Sequence, residues 1–140
     1  PIPRPACHTW AMSGGSPPMP RIRTVKPSFW GSSDTAKLTR DARLLALGLV
    51  SMADDDGRFL ASATAINGYV FPNDDVPNAR INRWLGELTE SGFIHLYTVD
   101  GVRFGVMPTW HSHQKINRYT PSILPAPDLD CAPRNSSKDE

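Results

Sequence analysis

Three observations in the 140-residue sequence predict an α+β domain. Ile81, Trp84, Leu85 and Leu88 recur at i, i+3, i+4 and i+7, the spacing of an amphipathic helix with one buried stripe. Directly after it, Asp100-Gly101 separates two β-prone runs, Phe93–Val99 and Val102–Met107, the strongest short hairpin signal. Upstream stand two further helical stretches, Leu38–Ala53 and Ser62–Phe71. Helix, tight connection, helix, hairpin is the order of a winged helix-turn-helix, three helices plus a β-hairpin wing. In that arrangement the last helix enters the DNA major groove while the hairpin touches the neighbouring backbone or minor groove.

Length and a hydrophobic content of 39% allow one modest core and not two. Residues 1–19 are dense in Pro, Gly and Ser without a hydrophobic period, and are expected to be disordered. Met19 or Met12 is a candidate start of the gene product, which would leave everything before it outside the product. The folded domain is expected over 20–122, and an acidic, disordered tail over 123–140. Cys7 and Cys131 fall in the two proline-rich ends and are expected to be free thiols. No apolar run approaches the roughly 20 residues that span a bilayer, and no signal peptide is apparent, so a soluble, intracellular protein is expected, without a membrane partner.

In chain order, Arg21-Ile-Arg-Thr-Val-Lys-Pro27 alternates basic and apolar residues. It reads as an edge strand closing the sheet beside the hairpin, or as an arm with Arg21 and Arg23 facing out toward phosphates or a minor groove. Phe29 and Trp30 should anchor it to the core. Thr39 is the expected cap of the first long helix, with Asp41 in its first turn and Ala42, Leu45, Ala46, Leu49 and Ala53 as its inner stripe. Leu44, Leu47 and Val50 widen that stripe and predict a mostly buried helix. Asp54-Asp-Asp-Gly57 should turn into a short strand, Arg58–Leu60. Three consecutive aspartates do not alternate as calcium-loop ligands must, and the twelfth position from Asp54 is Ala65, so no metal is expected there. Ser62 should cap the next helix, with Ile66, Tyr69 and Val70 inward and Pro72 beyond its end.

Asp75 can cap the last helix, Pro77 suits its first turn, and Gly92 can supply the left-handed residue that ends it. Ala79, Arg83, Gly86 and Glu90 then form its outer face, flanked by Arg80 and Asn82. A two-residue turn sets Val99 opposite Val102, Tyr97 opposite Phe104 and His95 opposite Val106, with Thr98 and Arg103 on the other side near the tip. Residues 108–122 mix Trp110, Gln114, Lys115, Asn117, Arg118 and Tyr119, side chains suited to nucleic-acid contact. Equally, Trp110 and Ile116 could pin the segment under the wing. His111 and His113 make half a metal site with no third ligand at a recognisable spacing.

The net charge of +1 conceals segregation. Residues 19–53 carry six basic and two acidic side chains, residues 54–75 one and five, and residues 76–120 five and three. A basic face with the acidic loop turned elsewhere suits phosphate binding. The candidate contacts are Asn78, Asn82 and Arg83 for base edges, Arg80 for phosphate, Arg103 at the wing, Lys115 and Arg118 after it, and Arg21 and Arg23 on the arm. No catalytic residue, metal or cofactor is implied.

Arg21-Ile-Arg-Thr-Val-Lys-Pro-Ser-Phe-Trp30, Leu38–Leu44, Ala53–Arg58, Leu88-Thr-Glu-Ser-Gly-Phe-Ile94 and Trp110-His-Ser-His-Gln-Lys-Ile-Asn-Arg118 carry a family likeness. Over about residues 20–122 the chain resembles the N-terminal winged-helix domain of DnaD-like replication initiation proteins of actinobacterial phages and prophages. The resemblance implies a non-enzymatic protein of the bacterial cytoplasm. It would bind double-stranded DNA at a phage origin and help to recruit host replication proteins. Single-stranded DNA and a second copy of the chain are further candidate partners. The C-terminal domain of longer relatives, used for oligomerisation, single-strand contact or loader contact, has no counterpart here. A phage transcriptional regulator and a protein interaction module that binds a host partner are the alternatives; a nuclease built on His111 and His113 lacks a carboxylate cluster.

Overall fold

The computed structural model describes residues 21–127. The expectations for residues 1–20 and 128–140, including Cys7, Cys131 and a start at Met12 or Met19, lie outside the described residues. Among the described residues the fold is mixed α+β, with six helices and one three-stranded antiparallel sheet. Three helices are single turns: α1 (Ser28–Gly31), α2 (Ser33–Ala36) and α6 (Trp110–His113). The longer ones are α3 (Arg40–Met52), α4 (Ala63–Val70) and α5 (Asn78–Glu90). The strands are β1 (Arg58–Leu60), β2 (His95–Val99) and β3 (Val102–Val106), in the order β1-β3-β2.

Each helix begins and ends for a local reason. The Thr39 hydroxyl accepts the Ala42 N–H at the head of α3, and Ser62 Oγ accepts the Ala65 N–H at the head of α4. A second cap on α3 comes from α5: Glu87 accepts the Thr39 N–H at 3.0 Å and its hydroxyl at 3.1 Å. Asp75 does not cap α5; Pro77 takes the N-cap place, and no side-chain hydrogen bond closes that end. At the other end Gly92, at φ +85°, lets the Phe93 N–H reach Leu88 O and its own N–H reach Thr89 O, a Schellman closure that aims the chain into β2.

The stripe Ala42, Leu45, Ala46, Leu49 packs against Ile66 and against Ile81, Trp84, Leu85 and Leu88, all buried. Burying a side chain of this size contributes about 2 kcal/mol, which makes these α3–α4–α5 contacts the main source of stability. The wider stripe on α3 is less covered than expected: Leu44 is 50% exposed, while Leu47 and Val50 are half-buried. Tyr69 also turns outward, held by a 2.9 Å hydrogen bond to Ser51 Oγ. Of the expected pair of anchors, Phe29 packs on the core and meets Phe93 edge-on, but Trp30 is 60% exposed.

The hairpin register is the expected one, Val99 opposite Val102, Thr98 opposite Arg103, Tyr97 opposite Phe104 and His95 opposite Val106. Asp100 and Gly101 both lie at positive φ, 54° and 79°, as a type I′ turn requires. The third strand is β1, paired with β3 from Arg58–Val106 to Leu60–Phe104, and not the 21–27 arm. Phe59, Leu96 and Gly105 face the helices; Leu60, Tyr97, Val99 and Phe104 face the other way. That second face is covered by the chain beyond residue 122. Leu124 packs on it, Tyr97 Oη donates to Pro125 O at 2.7 Å, and Arg58 Nη1 donates to Leu124 O at 3.0 Å. Ordered packing therefore passes the boundary expected at residue 122.

Candidate nucleic-acid interface

The outer face of α5 is built by default. Once its inner stripe is buried, Asn78, Ala79, Arg80, Asn82, Arg83, Gly86, Thr89 and Glu90 are left exposed. Arg80 and Arg83 make no hydrogen bond or ion pair with any described residue, so both cations are available. A Cβ added at Gly86 meets nothing within 4 Å, so neither side-chain bulk nor a neighbour obstructs the middle of this face.

The hairpin stands beside this helix because Arg103 lies on the helix-facing side of β3. Arg103 Nε donates to Ala61 O at 2.9 Å, and its Nη2 donates to Asn82 Oδ1 at 2.7 Å. One guanidinium thus ties the hairpin near its tip to the residue before the α4 cap and to the exposed face of α5. Its Nε and Nη2 are thus committed within the fold and not wholly free for the DNA contact expected of it at the wing.

Asn78, expected to read a base edge, is committed to α4. Its Oδ1 accepts from Asn67 Nδ2 and its Nδ2 donates to Thr64 Oγ1, both at 3.0 Å, while Asn67 Nδ2 also reaches Val76 O. These bonds fix how α4 turns into α5. A position at the first turn of a helix after a proline is a common place for such a staple, so the residue type alone did not separate the two roles.

The basic arm and the acidic turn depart furthest from expectation. The acidic turn is not directed away from the basic segments; it binds them. Arg23 has a side chain only 5% exposed, donating to Asp55 Oδ1 at 2.9 Å and to Ala53 O at 3.0 Å, with its guanidinium 4.9 Å from the Trp110 ring centre. Its Nε has no hydrogen-bond partner, and the ring face beside it offsets part of that cost. Arg21 pairs with Asp55 at 3.2 Å and donates to the carbonyls of Asn117 and Arg118. Both arginines are committed to one buried carboxylate, that of Asp55, and are drawn away from the phosphate contact expected of them. Within the arm Ile22 is fully exposed while the Arg23 side chain turns inward, the reverse of the expected pattern at these two positions.

The same turn organises residues 110–122. Asp54 accepts from the backbone of Asp56 and Arg58 and from Ser122 Oγ, Asp56 accepts from Tyr119 Oη at 2.8 Å, and Trp110 Nε1 donates to Asp55 O at 2.9 Å. Burial disfavours the charged form of Asp55, but the Thr120 N–H, the Arg23 hydrogen bond and the nearby Arg21 charge outweigh it, and its carboxyl is held below the usual range. The hydrogen bond to Asp56 pushes the Tyr119 hydroxyl up from its ordinary value. Gln114 is buried and exchanges hydrogen bonds with the backbone of Thr24. Trp110 and Gln114 therefore pin the segment, and only Lys115 and Arg118 present unpaired cationic side chains to solvent there.

Lys115 and Arg118 lie at the far end of the sheet from Arg103. The acidic turn adjoins Arg58, which pairs with Val106 at the base of β3, and five strand residues set that base roughly 15 Å from the hairpin tip. Asn82 and Arg103 adjoin at one flank of the outer face of α5, Arg83 and Arg80 stand exposed further round the same helix, and Lys115 and Arg118 lie apart from all of them. His111 Nε2 faces Asp56 at 3.5 Å, and among the described residues no group of three His, Cys, Asp or Glu side chains is placed to hold a metal. Nor is any described helix long and apolar enough to cross a membrane. No family model, curated protein or solved structure matches the chain, so the site is read from its geometry.

Proposed function

We propose that this chain is a non-enzymatic DNA-binding module of winged helix-turn-helix architecture, of phage or prophage origin, acting in replication initiation in the bacterial cytoplasm. The observation that carries the reading is the outer face of α5, where Arg80, Asn82 and Arg83 stand exposed beside a hairpin joined to that face through Arg103. In this reading α4 and α5 are the helix-turn-helix, α5 enters the major groove of double-stranded DNA, and the hairpin follows the adjacent backbone. Lys115 and Arg118 serve flanking phosphates. The phage and replication parts rest on the resemblance of residues 20–122, as do single-stranded DNA, host replication proteins and a second copy as further partners.

Titration of the full chain with duplex and single-stranded DNA at two salt concentrations tests the reading. Each phosphate contact contributes about −0.9 to the slope of log affinity against log salt on a duplex. Duplex binding with a slope of several such contacts, reduced by about one in Arg80→Ala, is the expected result. Affinity that is absent or indifferent to salt overturns it.

A second reading, a protein interaction module, draws on one observation. A groove of about 740 Å³ opens between residues 24–38, α3, the end of α5 and α6, lined by Val25, Phe29, Leu38, Leu47, Val50 and Phe93 among others. Co-purification of a host replication protein without DNA binding would favour it.

A further inference from the structure

We infer that the apolar groove between residues 24–38, α3, the end of α5 and α6 is the seat of a second copy of this chain. Two copies pair about a twofold axis, with Trp30 of each entering the groove of the other beside Thr35. The groove is bounded by the end of α5 and not by its start, so Arg80 and Arg83 stay uncovered and the inference does not depend on DNA binding.

The chemistry of the groove selects its occupant. Thr35 stands in the groove wall with 6% of its surface exposed, and its hydroxyl has no hydrogen-bond partner among the described residues. Nearby polar groups are already engaged: the Gln114 amide bonds to the Thr24 backbone, and the Lys26 amine donates to Ser112 O at 3.0 Å. An occupant made only of aliphatic side chains would seal the Thr35 hydroxyl from water with nothing to bond, which costs about 1–3 kcal/mol. The occupant that fits has an apolar body and one polar tip, which describes a tryptophan or tyrosine side chain.

The chain itself presents one. Three tryptophan or tyrosine side chains are exposed among the described residues: Trp30, Tyr69 and Tyr119. The Tyr69 hydroxyl is held by Ser51 and that of Tyr119 by Asp56. Trp30 is 60% exposed, and its Nε1–H has no hydrogen-bond partner among the described residues. Its neighbours Phe29 and Gly31 line the groove and Trp30 does not, so the indole projects beside its own groove rather than into it. A projection next to a recess of matching chemistry is self-complementary: after a half turn each fills the other, the isologous arrangement of a closed dimer. Trp30 and Thr35 are five positions apart in sequence, so both contacts can form close to one axis. Val25 on the groove wall, 44% exposed, and Leu44, 50% exposed and one turn from the groove residue Leu47, extend the apolar surface that this pairing covers.

Sedimentation equilibrium of the full chain without DNA tests this, with Trp30→Ala, Trp30→Phe, Thr35→Val and the Trp30→Phe, Thr35→Val double variant compared against the wild type. One indole and one groove used twice make a small interface, so a reversible dimer with a dissociation constant on the order of 10 µM is expected. Trp30→Ala truncates an exposed side chain and should leave only monomer up to about 1 mM. Trp30→Phe and Thr35→Val each remove one end of the same hydrogen bond, which occurs twice in the dimer, and each should weaken pairing roughly thirtyfold. The double variant should fall well short of the product of the two. If Thr35→Val fails to fold, Trp30→Ala decides. A wild type that stays monomeric up to about 1 mM overturns the inference; uptake by that monomer of the neutral probe N-phenyl-1-naphthylamine would give the groove to a small molecule instead. A dimer indifferent to Trp30→Ala, or independent effects of Trp30→Phe and Thr35→Val, overturns it as well. The experiment contains no DNA, so its failure is distinct from failure of the DNA-binding reading.

Discussion

The guanidinium of Arg23 meets the carboxylate of Asp55 at 2.9 Å, with 5% and 3% of the two side chains exposed. Through this pair, and through the Thr120 N–H on the other carboxylate oxygen, the turn after α3 holds together two segments nearly one hundred residues apart in sequence. Breaking one partner of a buried pair leaves an uncompensated charge, which costs several kcal/mol. Asp55→Asn should lose about 3 kcal/mol at neutral pH in urea denaturation. The folded-state carboxyl lies below its ordinary value. Its contribution is therefore complete above the unfolded value of about 3.9 and disappears as pH falls through the lower folded value. The wild-type and variant urea midpoints should approach each other in acid.

Gly105 and Gly86 should respond in opposite directions to the same added methyl. A Cβ at Gly105 would stand 2.3 Å from the Phe59 ring, so Gly105→Ala should destabilise by about 2 kcal/mol as β3 and β1 are forced apart. Gly86 has open space around it in the middle of a helix, and Gly86→Ala should stabilise by about 1 kcal/mol. Thermal denaturation of the two variants checks both.

Glu87 closes the head of α3 from α5, and Glu87→Ala should cost about 1 kcal/mol by opening the Thr39 N–H and hydroxyl. Hydrogen exchange at the Thr39 amide should quicken, whereas Glu90→Ala, on the exposed face, should leave that amide protected.

Arg118 sits at φ 58°, a region unfavourable to a residue with a Cβ by about 1 kcal/mol, because its carbonyl is held by Arg21. Arg118→Gly removes the cation while easing the backbone. In the proposed function this variant should keep its thermal stability and lose about one phosphate contact from the salt slope. An unchanged slope would take Arg118 out of the interface.

The parts of the fold that were legible are those with a local cause. Asp100-Gly101 dictates its turn and hence every pair of the hairpin, and the 3.6-residue period of Ile81, Trp84, Leu85 and Leu88 dictates which side of α5 is buried. The arm was misread because its reason is distant. Nothing near Arg23 indicates that Asp55 will lie beneath it, and an alternation of basic and apolar residues does not reveal which set faces in. A usable signal was present: three consecutive aspartates in a turn too crowded to stay charged without counterions, and two arginines spaced to face the same way. In the candidate site, exposure of Arg80 and Arg83 followed from the same period, but the engagement of Asn78 by Asn67 and Thr64 and of Asn82 by Arg103 depends on side-chain hydrogen bonds between elements.

Leu124 and Pro125 roof the side of the sheet that the helices do not touch. A polypeptide shortened at residue 122 would lay Tyr97 and Phe104 open to water next to β2, which stands at the edge of the sheet among the described strands. Bare rings beside a strand at the edge of a sheet invite neighbouring molecules to dock there. Trimming the chain at residue 122 would thus raise its tendency to adhere to itself.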